Sequence, residues 1–149
     1  MIKKIIFLSL IVLCSDSFSS EWSDNEWTTN VGCFTFHGKK PININFVNMI
    51  SKIHGYDDAF GYVKYEKSDK SIPIILNDDE FTILVENGTS VYIMEWDEMI
   101  NGKPGGSYLV ELKGDKYIAF TYRDKQNKYI GFEENKKAYD EEKQDCIWK

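Results

Sequence analysis

The chain has no apolar run long enough to cross a bilayer as a helix, which takes about 20 residues. Its longest, Ile5 to Leu13 (IIFLSLIVL), falls well short. It has only two histidines, His37 and His54, and neither sits in a His-x-His or His-Glu-x-x-His pattern, so a metal site has little to stand on. There is no Gly-x-Ser-x-Gly, no P-loop and no dinucleotide fingerprint, which removes the commonest signatures of hydrolases and nucleotide enzymes. Acidic clusters occur at Asp57-Asp58, at Asp78-Asp79-Glu80 and at Glu95, Asp97 and Glu98. None has the spacing of an EF-hand or a diagnostic glycosidase pair, and solvated turns explain them. Positive charge is short too. The net charge of −6 argues against nucleic acid and anionic membrane as partners, because both reward Lys and Arg. No catalytic residue, cofactor or metal is expected. No internal repeat and no linker appears, so one domain is expected over residues 20–149.

What is present begins with a targeting segment. Lys3 and Lys4 precede the apolar run, and Ser15 to Ser20 supply small residues for cleavage. This is the pattern of a secretory signal peptide over residues 1–19. Cys14 directly after the run raises the lipoprotein reading, but Leu13 is not the small residue that reading needs. Cleavage after Ser19 removes Lys3, Lys4 and Asp16, which takes the net charge from −6 to −7. A secreted or periplasmic location follows, with no stable membrane insertion once the segment is gone. Cysteine arithmetic agrees. Of three cysteines, cleavage leaves Cys33 and Cys146, an even number for an oxidising compartment, and these two are expected to pair. Cys33 and His37 would share one face of a strand, but a Cys–His nucleophile needs Cys33 free.

The remaining chain is rich in aromatics, at 15%, with nine Tyr, nine Phe and four Trp. Such side chains cover a pleated, half-buried surface well. Alternation predicts strands at Val31–His37, Pro41–Val47, Ala59–Glu66, Phe81–Val85, and then four runs between Ser90 and Glu133. Ile72–Leu76 contains Pro73, which lacks the ladder N–H, so an edge strand or a strand start is predicted there. In the run Tyr117–Tyr122, Ile118, Phe120 and Tyr122 are expected on one face. Glu21–Asn30, polar apart from Trp22 and Trp27, reads as either a mobile lead-in or an arm that docks one indole. Asn48–Asp58 admits one helical turn or, equally, an irregular crossover, and Glu134–Gln144 admits a short helix. Asn87-Gly88 is a favoured hairpin dipeptide, as well as part of a formal glycosylation acceptor with Thr89. The expected fold is all-β: a small antiparallel meander of about eight or nine strands, a barrel in preference to a sandwich, with at most one or two short helices.

The most unusual stretch is Asn101–Tyr108 (NGKPGGSY). Three glycines and a proline make it a side-chain-poor loop whose bare backbone can approach a partner closely. Asn101, Gly102, Lys103, Pro104, Gly105, Gly106, Ser107 and Tyr108 are the candidate binding residues; a hairpin turn that needs glycine explains the same composition. Gly105–Tyr108 resembles, over four residues, the Ser/Gly/Tyr loop of bacterial periplasmic lysozyme inhibitors. That resemblance implies a loop that blocks an enzyme. The expectation is a non-catalytic binding module, an inhibitor or immunity protein that occludes a basic enzyme or toxin such as a cell-wall hydrolase. The alternative is a lipocalin-like carrier of a small apolar ligand, with the aromatic faces lining a cavity.

Overall fold

The computed structural model describes residues 26–77 and 82–148. Four consecutive strands form the first half of a single large sheet: β1 (Trp27–Phe36), β2 (Ile42–Ser51), β3 (Gly55–Tyr65) and β4 (Ser71–Leu76). The second half runs β6 (Thr89–Ile100), β7 (Lys103–Lys113), β8 (Lys116–Arg123) and β9 (Tyr129–Gly131). All neighbours are antiparallel, and β4 joins the halves by pairing with β6. Strand β5 (Thr82–Glu86) pairs with the first part of β6, ahead of the part taken by β4. Strand β10 (Glu133–Glu134) adds to β1. A separate small hairpin, β11 (Tyr139–Asp140) and β12 (Asp145–Cys146), carries the C-terminal part. The fold is all-β and antiparallel, as the alternation predicts, and no helix occurs among the described residues.

The sheet is not closed into a barrel, which corrects the expected closure. The reason lies in the segment after β8. It pairs with β8 through Tyr129–Gly131, crosses at Phe132, whose N–H donates to the Phe120 carbonyl, and then meets β1 at Phe34 and Thr35, with the Asn135 N–H reaching the Cys33 carbonyl. No ladder joins β1 to β8. Among the described residues, Trp27–Gly32 on β1 and Lys116–Ala119 on β8 have a strand neighbour on one side alone.

The core lies on the concave face. Alternate residues Ile44 and Phe46, Met94 and Trp96, Tyr108 and Val110 point inward because the side-chain period of a strand is two. Phe34 stacks on Phe120 with ring centroids 3.9 Å apart, and Phe46 meets Trp96 and Phe120 edge-on at 5.8 and 5.1 Å. The rings fill the interior against one another.

Several local expectations change. Ile118 is 52% exposed and Tyr117 turns inward. A β-bulge opposite Glu111 and Leu112 inserts Ile118 as the extra residue, which reverses the faces before it. Of the two readings of Glu21–Asn30, the docked indole holds for the described part: Trp27–Asn30 starts β1, and Trp27 packs on Phe60 at 5.1 Å. Asn48–Asp58 contains no helical turn: β2 runs to Ser51, a tight turn follows, and Gly55 at φ 62° opens β3. Glu134–Gln144 forms turns and β11 where a helix was admitted. Strand β4 is interior and not an edge, because its pairing with β6 starts at Ile74. Pro73, one residue earlier, has a ladder neighbour only in β3, so its missing N–H costs nothing there. The expected signal peptide and the Asp78-Asp79-Glu80 cluster lie outside the described residues.

Candidate functional site

The stretch Asn101–Tyr108 is not a loop. Only Asn101 and Gly102 form the turn, at φ 52° and 74°, the positive values a two-residue hairpin turn requires. Lys103 onward is strand β7. Asn101, Gly102, Lys103 and Pro104 are exposed, while Gly106, Ser107 and Tyr108 are buried. The two glycines are there for packing. A Cβ on Gly105 would lie 2.8 Å from the Glu98 side chain, and one on Gly106 would run into the Tyr122 ring. The candidate surface therefore shrinks to a four-residue tip; Gly105, Gly106 and Tyr108 belong to an internal polar cluster, and Ser107 bonds Arg123 on the other face of the sheet.

That cluster surrounds Glu98, which is 3% exposed although it is a carboxylate. Its Oε1 accepts the Tyr108 hydroxyl at 2.8 Å, and its Oε2 accepts the Gly106 N–H at 3.1 Å and the Tyr122 hydroxyl at 3.4 Å. The Tyr65 hydroxyl extends the chain to Tyr108 at 3.3 Å. Burial, aided by the charge of Glu98, pushes Tyr122 up to about 12 and drives Tyr108 higher still. On the opposite face of β6, Glu95 pairs with Arg123, whose guanidinium also donates to Ser107 at 3.1 Å. Each buried oxygen thus has a donor, as burial in a low dielectric demands. Asp97 accepts from the Asn77 amide at 3.2 Å. Glu95, Asp97 and Glu98 line neither of the two clefts described next.

The larger cleft, about 840 Å³, follows the unpaired part of β1. Thr29, Val31 and Cys33 of β1 line it together with Leu112, Asp115, Tyr117, Tyr56 and Met94. Glu134, Asn135 and Lys136 close the rim. Along it, the exposed Asn30 donates to the buried Asn48 at 2.9 Å, and Asn48 also hydrogen-bonds Tyr117. Burial, with the nearby charge of Glu134, raises the Tyr117 hydroxyl. A second cleft of about 220 Å³ shares Tyr117 and Glu134 and continues along β8 past Ile118, Ala119 and Phe120. Sequence reasoning missed this groove. Its signal is a mismatch of lengths: the apolar run Tyr129–Phe132 is shorter than either strand it would have to cover.

The remaining candidates are dispersed. Cys33 and Cys146 form a disulfide with Cα atoms 5.7 Å apart, as expected. His37 approaches Glu133 at 3.5 Å and His54 approaches Asp58 at 3.7 Å, both on the surface. Among the described residues no three His, Cys, Asp or Glu side chains gather as a metal would need, and no helix is long and apolar enough to cross a membrane. The Trp96 indole N–H is buried with no partner among them. No family model matches the chain, and comparison with curated proteins and with solved structures returns no significant match.

Proposed function

We propose that the chain is a non-catalytic binding module of an oxidising compartment, secreted or periplasmic, that acts by occluding a basic protein partner. The observation that carries this reading is an acidic sheet left open along one side. The net charge of −6 supplies steering for a cationic surface, since complementary potentials speed encounter. The open side supplies backbone edges that have no second strand neighbour among the described residues. The Cys33–Cys146 bridge suits a compartment where thiols oxidise, and it gives the rigidity an occluding surface needs. A carrier of small apolar ligands has less behind it. The aromatics that would line its cavity pack against each other, and the cleft carries Asn30, Asn48, Asp115 and Glu134 among its walls.

The test is a panel of purified basic enzymes, cell-wall hydrolases among them, offered to the immobilised, oxidised chain at low and high salt. A stoichiometric complex that weakens as salt rises is expected. Absence of any complex across the panel, together with a lipid or pigment in a solvent extract of the native protein, would replace this reading with the carrier.

A further inference from the structure

We infer that the groove between β1 and β8 takes an extended, lysine- or arginine-bearing segment of the protein partner, which adds as a strand to the open side of the sheet. The inference rests on the partner-occlusion reading above and assigns it a site. Three observations carry it.

The first is backbone polarity. The Asn135 N–H donates to the Cys33 carbonyl at 2.7 Å, so Cys33 directs its main-chain groups away from β2. Along a strand, alternate residues direct theirs to the same edge. Val31 and Thr29 therefore point their N–H and C=O groups into the groove. On the other set, the Glu26 carbonyl accepts from Lys52, the residue after β2, which fixes the alternation. An unpaired row of this kind is a template for a strand.

The second is fit. The unpaired part of β1 runs from Trp27 to Gly32, about 20 Å of extended chain. Lys116–Ala119 faces it with an edge that is also unpaired among the described residues. The two clefts that lie along these edges share Tyr117 and Glu134 in their walls.

The third is charge. Of the charged residues on the larger cleft, Lys136 is held by Glu134 at 3.5 Å. Asp115 and Glu141 remain as the surplus, so the rim is net negative. The Asn30–Asn48–Tyr117 chain, which runs from exposed Asn30 to buried Asn48, offers polar contacts without positive charge. An extended segment places every second side chain downward and the rest at this acidic rim.

The experiment uses the oxidised full chain, labelled for amide hydrogen exchange, and a blocked peptide of sequence Lys-Val-Lys-Thr-Lys-Val-Lys, with its all-glutamate counterpart as control. The lysine peptide is expected to slow exchange at Thr29 and Val31 at least tenfold and to leave Thr82–Val85 unchanged. Val31→Pro removes a groove-facing N–H without touching the β1–β2 ladder, and it should weaken binding at least tenfold. Asp115→Lys with Glu141→Lys should do the same with the backbone intact, and so covers a Val31→Pro chain that fails to fold. Equal binding of the glutamate peptide, protection confined to other edges, or no binding at all would overturn the inference. So would full protection of Thr29 and Val31 in the free chain, which would show the groove filled by the chain's own N-terminal residues. A basic enzyme captured while Thr29 and Val31 stay unprotected would sink the groove and leave the occlusion reading standing.

Discussion

At the scale of single residues, Glu98 is held on both of its carboxylate oxygens. It is a buried carboxylate held by two phenols and a backbone N–H rather than by a cation. Glu98→Ala should cost about 2–3 kcal/mol, because it strands the Tyr108 hydroxyl and the Gly106 N–H inside the protein. Glu98→Gln keeps acceptor capacity and should cost less; urea unfolding of both variants checks the order. The tyrosines add a pH signature. Their hydroxyls are raised above the ordinary value near 10 in the folded state, with Tyr122 at about 12. The unfolded chain therefore releases these protons first, and the native state binds more of them between pH 10 and 12. Stability should be fully present below pH 10 and fall as pH rises through that window. Urea midpoints at pH 9, 10 and 11 measure it. Glu98 was legible only in part. Alternation from Trp96 puts it on the inner face, but a charge near a strand end is ordinarily solvated. Only the position of Tyr108 and Tyr122 across β7 and β8 shows why it is not.

At the scale of elements, most strands follow from alternation and turn chemistry. Asn87-Gly88 and Asn101-Gly102 both take the positive φ values that the dipeptide favours. What misled the reading of the second hairpin was Pro104-Gly105-Gly106, which has turn composition in a strand. The glycines answer to packing from Glu98 and Tyr122, contacts across the sheet that no local window contains. Gly106→Ala should therefore destabilise by about 1–3 kcal/mol through overpacking. Lys103→Glu at the exposed tip should stay within about 0.5 kcal/mol of the native chain. Thermal melts of the pair separate a packed strand from a free loop, since a free loop would tolerate both changes. The bulge at Ile118 was beyond sequence reasoning for a similar cause. An extra residue flips the face of Tyr117, and nothing in the order of apolar residues marks it.

At the scale of the whole molecule, the ends are tied together. The disulfide spans a sequence separation of 113 and draws the C-terminal hairpin onto the outer face of β1, where Cys33, Cys146 and Ala138 pack. Asn45 holds the same region through Asp145 and the Trp148 indole. Replacing both cysteines by serine should lower stability by up to about 4–5 kcal/mol, the chain-entropy value for so long a loop. Denaturant curves of the oxidised and serine forms measure the difference. Pairing of Cys33 with Cys146 was readable by counting; the open side of the sheet was not, because closure depends on how far the segment after β8 reaches in space. That open side, with the acidity of the chain, is the basis for reading it as an occluding module. The most direct measurement is the catalytic rate of a basic enzyme captured from the panel, followed as the oxidised chain is added. The account predicts a stoichiometric loss of activity that high salt relieves. An unchanged rate at saturating chain would contradict it.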